Sequence, residues 1–126
     1  MDVLSVCPPR WATERDPALV TDGDKLEKVA NLMGFSLYQW QRQVADTALE
    51  KVDGHYWYRT VGVGVGRQSG KSKLVETRIA FELLKPRHHV AYTAQDRNMA
   101  KLKWQEHVNS FERCAAIAKH IHRISY

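Results

Sequence analysis

A chain of 126 residues with 44% apolar content can bury one small core. Its two isolated cysteines have no metal-type spacing and suggest a reducing compartment, or at least no disulfide framework. No apolar run reaches the length of a membrane span or of a secretion-signal core, so the expected setting is cytoplasmic, with no membrane partner.

Residues 1–20, with Pro8, Pro9 and Pro17, read as an irregular N-terminal arm. Leu26, Val29, Ala30 and Met33 recur at helical spacing and predict a helix over 21–34, stopped by Gly34. Ser36 and Gln39 form an S-x-x-Q capping box. The helix it opens is expected to run to about residue 51, with Trp40, Val44, Ala45 and Ala48 on one face. Asp53-Gly54 is a turn signal. Residues 55–65 then read as a strand, from the aromatic run at 56–58 and the Val61/Val63/Val65 alternation.

A helix is predicted over 71–84, with Val75, Ile79, Ala80 and Leu83 on one side and Pro86 beyond its end. Residues 88–93 read as a second short strand. Gln95-Asp96 begins a last helix, capped by Asp96 or by a Thr93-x-x-Asp96 box, whose stripe of Trp104, Val108, Phe111, Ala115 and Ala118 extends to about His120. The second strand, the helix before it and the first strand make one βαβ crossover, for which parallel strands and a right-handed connection are expected.

Between the first strand and its helix stands Gly66-Arg67-Gln68-Ser69-Gly70-Lys71-Ser72. A glycine-bearing turn from strand to helix with Gly-Lys-Ser at its end is the pattern of a phosphate-binding P-loop. The physical reason is that a helix N-terminus offers unpaired N–H groups and partial positive charge to an anion. Glycine at 66 and 70 lets the backbone approach phosphate closely. Lys71 would reach the β- and γ-phosphates, and Ser72 would place its hydroxyl on Mg²⁺. Arg67 would fork onto the γ-phosphate. ATP and Mg²⁺ are therefore the expected cofactors, and the bland alternative is a Gly-rich turn with no ligand.

The expected fold class is α/β: an incomplete P-loop NTPase, Rossmann-like, with a parallel sheet covered by helices on both faces and preceded by two N-terminal helices. Residues 21–126 would be the N-terminal portion of that ATPase domain. ATP hydrolysis also needs an acid at the end of a buried strand to hold Mg²⁺. Residues 73–126 contain no convincing one, since Asp96 is better used as a helix cap. The chain reads as the front of an ATPase, cut before its catalytic carboxylate.

Charge is uneven: residues 1–60 carry 7 Lys/Arg against 9 Asp/Glu, and residues 61–126 carry 12 against 5, within a net of +5. A basic second half suits nucleotide or nucleic acid, and equally a solvated helix face. Lys101, Lys103, Arg113, Lys119 and Arg123 read as such a face. The pairs His88-His89 and His120-x-His122 do not share one side of a strand or helix and are not expected to form a site.

Three segments in order resemble the start of a phage terminase large subunit, the motor that packages DNA. The loop Arg67-Gln68-Ser69-Gly70-Lys71-Ser72 is similar to that family's R-Q-x-G-K-[ST] variant, which often lacks the first glycine, as Val65 does here. Leu37-Tyr38-Gln39-Trp40-Gln41 resembles the adenine-reading L-x-P-W-Q segment, with Gln39 in place of proline. Residues 90–97 resemble the second-strand motif, and the likeness covers roughly 36–112. It implies that Gln41 hydrogen-bonds the adenine edge and that Arg67 is an in-cis catalytic arginine. The implied parent activity is ATP-driven translocation of double-stranded DNA, with the small terminase subunit and the portal as partners in an infected or lysogenic bacterial host. The missing remainder of the large subunit is a further implied partner. A helicase-like ATPase fragment and a non-catalytic nucleotide- or partner-binding module are the competing readings.

Overall fold

The computed structural model describes residues 9–120, so Cys7, His122 and Arg123 lie outside the described residues. In chain order the elements are β1 (Val20–Thr21), α1 (Gly23–Leu32), α2 (Gln39–Ala48), β2 (Glu50–Val52), β3 (His55–Tyr56), α3 (Lys71–Leu83), α4 (Arg97–Arg113) and α5 (Ala115–Ala118). The chain divides into two compact units, with the boundary inside α3 after Val75.

In the first unit, α1 packs against α2. The helical repeat of Leu26, Val29 and Ala30 is buried, as are Ala45 of α2 and the flanking Leu37 and Leu49. Residues Asp53 (φ 53°) and Gly54 (φ 79°) both adopt positive φ, as a two-residue hairpin turn requires. That turn pairs β2 with β3 antiparallel, Lys51 opposite Tyr56 and Val52 opposite His55. β1 adds on the other side, Val20 opposite Lys51 and Thr21 opposite Glu50.

Two buried carboxylates pin this sheet. Asp22, 2% exposed, accepts from Lys51 Nζ at 2.9 Å and from the Tyr56 hydroxyl at 3.0 Å. Burial opposes its ionisation, but the Lys51 and Tyr56 hydrogen bonds and the Lys51 and Lys25 charges outweigh it and hold the carboxyl below its ordinary range. Glu50, 1% exposed, accepts from the Asp16 N–H at 3.0 Å and pairs with Arg15 at 3.2 Å.

The expected Rossmann-like parallel sheet with helices on both faces is not what forms. Among the described residues there is one sheet, three-stranded and antiparallel, in the order β1-β2-β3, accompanied by five helices. The reason lies in pairing. Among the described residues, 58–69 and 88–93 pair with no strand. A hairpin needs only a two-residue turn to find its partner, whereas a parallel pair needs a crossover and cover on both faces. The expected strand over 55–65 therefore survives only at 55–56. The second strand at 88–93 is irregular chain.

Boundaries shift for similar reasons. α2 stops at Ala48 because Glu50–Val52 is drawn into the sheet. Its N-cap is Tyr38 rather than Ser36, with Gln41 reaching back to the cap N–H. The last predicted helix breaks at Cys114 (φ −97°, ψ 110°), dividing it into α4 and α5.

In the second unit, Ile79, Ala80 and Phe81 of α3, Phe111 of α4 and Ile117 of α5 are buried. Glu76 is 6% exposed and ties α3 to α4. One oxygen meets His107 Nδ1 at 3.1 Å, and the other accepts from the Ser110 hydroxyl at 3.1 Å. Asp96 caps α4 by accepting from the Met99 N–H at 2.8 Å. Glu82 gathers Arg78, Lys85 and His88. Burial raises its carboxyl, but the His88 hydrogen bond and the Arg78 and Lys85 charges bring it below the usual carboxylate range.

Candidate phosphate-binding loop

The segment leading to the loop is irregular from residue 58 to 66, then turns through residues 67–70 and enters α3 at Lys71. Two residues in the turn have positive φ, Gln68 at 59° and Gly70 at 95°. Gly70 is required there: a Cβ would stand 2.8 Å from Gln41 Nε2 and 3.3 Å from Tyr38 Cε2. Gly66 is under no such constraint, since a Cβ there would meet only the Ser69 hydroxyl at 3.5 Å.

Gln41 is brought to the loop. It is 2% exposed; its Oε1 accepts from the Tyr38 N–H at 2.8 Å and its Nε2 donates to the Gly70 carbonyl at 2.7 Å. The same carbonyl accepts the first helical bond of α3, from the Leu74 N–H at 3.3 Å. Arg67, Gln68, Lys71 and Ser72 are exposed and Ser69 is half-buried. Among the described residues, neither Arg67 nor Lys71 enters an ion pair. Lys73, by contrast, lies over the Phe35 ring at 5.3 Å. Two cations of the turn, Arg67 and Lys71, thus have no counter-charge among the described residues.

A cavity of about 790 Å³ adjoins the loop at Gly66 and Ser69 and runs past Val63 to Trp40, Tyr58 and Trp11. Its size and its aromatic walls fall within the range of small-ligand sites. Trp40, on the apolar stripe of α2, is half-buried on this wall.

Comparison with protein-family models, with curated proteins and with solved structures finds no match for this chain.

All the predicted nucleotide-binding positions, Gly66 to Ser72 for phosphate and Gln41 for the adenine edge, thus lie in the first unit, with Gln41 bonded to the loop at Gly70. The metal side is sparser. Among the described residues no group of three or more His, Cys, Asp or Glu could hold a metal. Mg²⁺ is usually held by one or two side chains together with substrate phosphates and water. The exposed Ser72 hydroxyl fits as one such ligand. Asp96 is occupied as the α4 cap. No described helix is long and apolar enough to cross a membrane.

Tyr38, Trp11 and Tyr58 are contributors that sequence reasoning did not single out. Tyr38 carried a signal, since it lies between Leu37 and the Trp40-Gln41 pair. Trp11 stands in a segment with no periodicity, and Tyr58 in a run read as strand.

Proposed function

We propose that residues 66–72 bind the phosphates of a nucleoside triphosphate with Mg²⁺, as the nucleotide-binding front part of a phage terminase large subunit. The observation that carries the phosphate assignment is the turn itself. Positive φ at Gln68 and Gly70 delivers the chain directly into α3, with Arg67 and Lys71 exposed and in no ion pair with a described residue. Lys71 supplies a point charge to the terminal phosphates and Arg67 a bidentate fork. Ser72 would hold Mg²⁺, which when bound neutralises phosphate charge. The neighbouring cavity offers aromatic faces at Trp40, Tyr58 and Trp11 to a base.

The terminase part of the proposal rests on the order of the segments at 37–43, 66–72 and 90–97. It carries ATP-driven translocation of double-stranded DNA as the activity of a larger assembly, with the small subunit and portal as partners. A nucleotide-binding module without turnover is the second reading. It is favoured by the engagement of Asp96 as a cap and by the absence of an acidic cluster among the described residues.

Titration calorimetry of the wild type and Lys71→Ala with Mg·ATP tests the assignment. Wild-type binding lost in the variant is expected. Equal binding by both would remove the cradle. Turnover measured on the same samples separates the two readings: wild-type hydrolysis abolished by Lys71→Ala would eliminate the non-catalytic one.

A further inference from the structure

Gln41 is buried at the junction of α2 and the loop, and both ends of its amide are engaged. From this we infer that Gln41 is a positioning residue that sets the direction of the Lys71 N–H, and so serves phosphate binding whatever the base. The inference rests on the phosphate reading of the loop.

The argument runs through one peptide plane. The Gly70 carbonyl and the Lys71 N–H belong to the same trans peptide and point in opposite directions. Gln41 Nε2 holds that carbonyl at 2.7 Å, and the Leu74 N–H holds it at 3.3 Å. With the oxygen fixed from two sides, the Lys71 N–H is fixed facing away from Gln41. That N–H is one of the four at the start of α3 that lack an intrahelical partner, the groups an anion uses. Gln41 is itself held, because Oε1 takes the Tyr38 N–H at the start of α2. The first turn of α2 thus acts as a strut for the loop. An amide reading adenine would have to face a ligand, whereas this one is 2% exposed and spends one donor and one lone pair inside the protein.

The full chain is titrated with three probes: inorganic tripolyphosphate, Mg·ATP and Mg·GTP. Gln41→Met keeps length and removes both polar contacts. It should weaken all three by the same factor, about tenfold, the worth of roughly one hydrogen bond. Gln41→Glu keeps the acceptor for the Tyr38 N–H but can donate to the Gly70 carbonyl only when protonated. Relative to wild type at each pH, its tripolyphosphate affinity should be weak at pH 8 and recover at pH 5, while Gln41→Met shows no recovery. Urea unfolding of Gln41→Glu at both pH values separates positioning from stability. Tripolyphosphate affinity lost at pH 8 while the variant remains folded is expected, and a loss of affinity that only tracks loss of fold would overturn the inference. Gln41→Glu also keeps the test open if Gln41→Met fails to fold. Weakened ATP binding with unchanged GTP and tripolyphosphate binding would make Gln41 a base reader and overturn the inference. Unchanged binding of all three would overturn it as well. If the wild type binds none of the probes, the phosphate reading itself fails and takes the inference with it.

Discussion

Gly70→Ala perturbs the loop through one carbon atom, and its cost follows from the structure. The residue stands at φ 95°, where an L side chain costs about 1–2 kcal/mol. The new Cβ would lie 2.8 Å from Gln41 Nε2, closer than real contacts allow, so the buried amide must move. Moving it breaks the 2.7 Å bond to the Gly70 carbonyl and leaves a buried donor unpaired, worth about 1–3 kcal/mol. The sum is about 2–5 kcal/mol, a large share of the roughly 5–15 kcal/mol that holds a domain of this size. Urea unfolding at pH 7 measures it. Gly64→Ala is the control: Gly64 lies in the same stretch of chain, has nothing within 4 Å of its Cβ position and no positive φ, so its substitution should be neutral or slightly stabilising. Equal unfolding midpoints for Gly70→Ala and wild type, or an equal loss in both variants, would refute the reasoning.

Asp22→Asn removes the charge that Lys51 and Tyr56 surround and should cost about 1–3 kcal/mol at pH 7, reduced by the partial exposure of Lys51. Because the folded carboxyl lies below its ordinary range, its contribution is complete above the unfolded value of about 4 and is lost as pH falls through the lower folded value. Denaturation curves should therefore show a constant gap between variant and wild type from pH 7 to about pH 5 that closes in more acid solution. Glu76→Ala leaves His107 Nδ1 and the Ser110 hydroxyl without their acceptor and should cost about 2–4 kcal/mol by urea unfolding. Asp96→Ala deletes the bond to the Met99 N–H and should lower stability by about 1 kcal/mol, with helical circular dichroism reduced before the main transition.

Features that depend on near neighbours were legible in the sequence. Leu26, Val29 and Ala30 placed α1 because their spacing alone defines a face. Gly70 before Lys71 marked the start of α3, and Asp96 marked that of α4. The Asp53-Gly54 pair marked the hairpin turn, yet Glu50 and Lys51 read as the polar end of a helix. Glu50 is buried because the Asp16 N–H and Arg15, more than thirty residues earlier, satisfy it. Nothing local announces that contact. The Val/Gly alternation at 61–65 likewise gives strand propensity without a partner, and propensity does not supply one.

The candidate site divides in the same way. Loop chemistry sits in seven consecutive residues and could be read directly. The link from Gln41 to Gly70 spans 29 positions and depends on how α2 packs. The cavity depends on Trp11, Trp40 and Tyr58 meeting from three separate segments.

The most direct test of the phosphate assignment is the amide spectrum of the isotopically labelled full chain during a Mg·ATP titration. A working cradle moves the backbone N–H signals of Gly70, Lys71 and Ser72 first and furthest, and the same signals stay in place in Lys71→Ala. Shifts confined to other parts of the chain, with the loop amides unmoved at saturation, would contradict it.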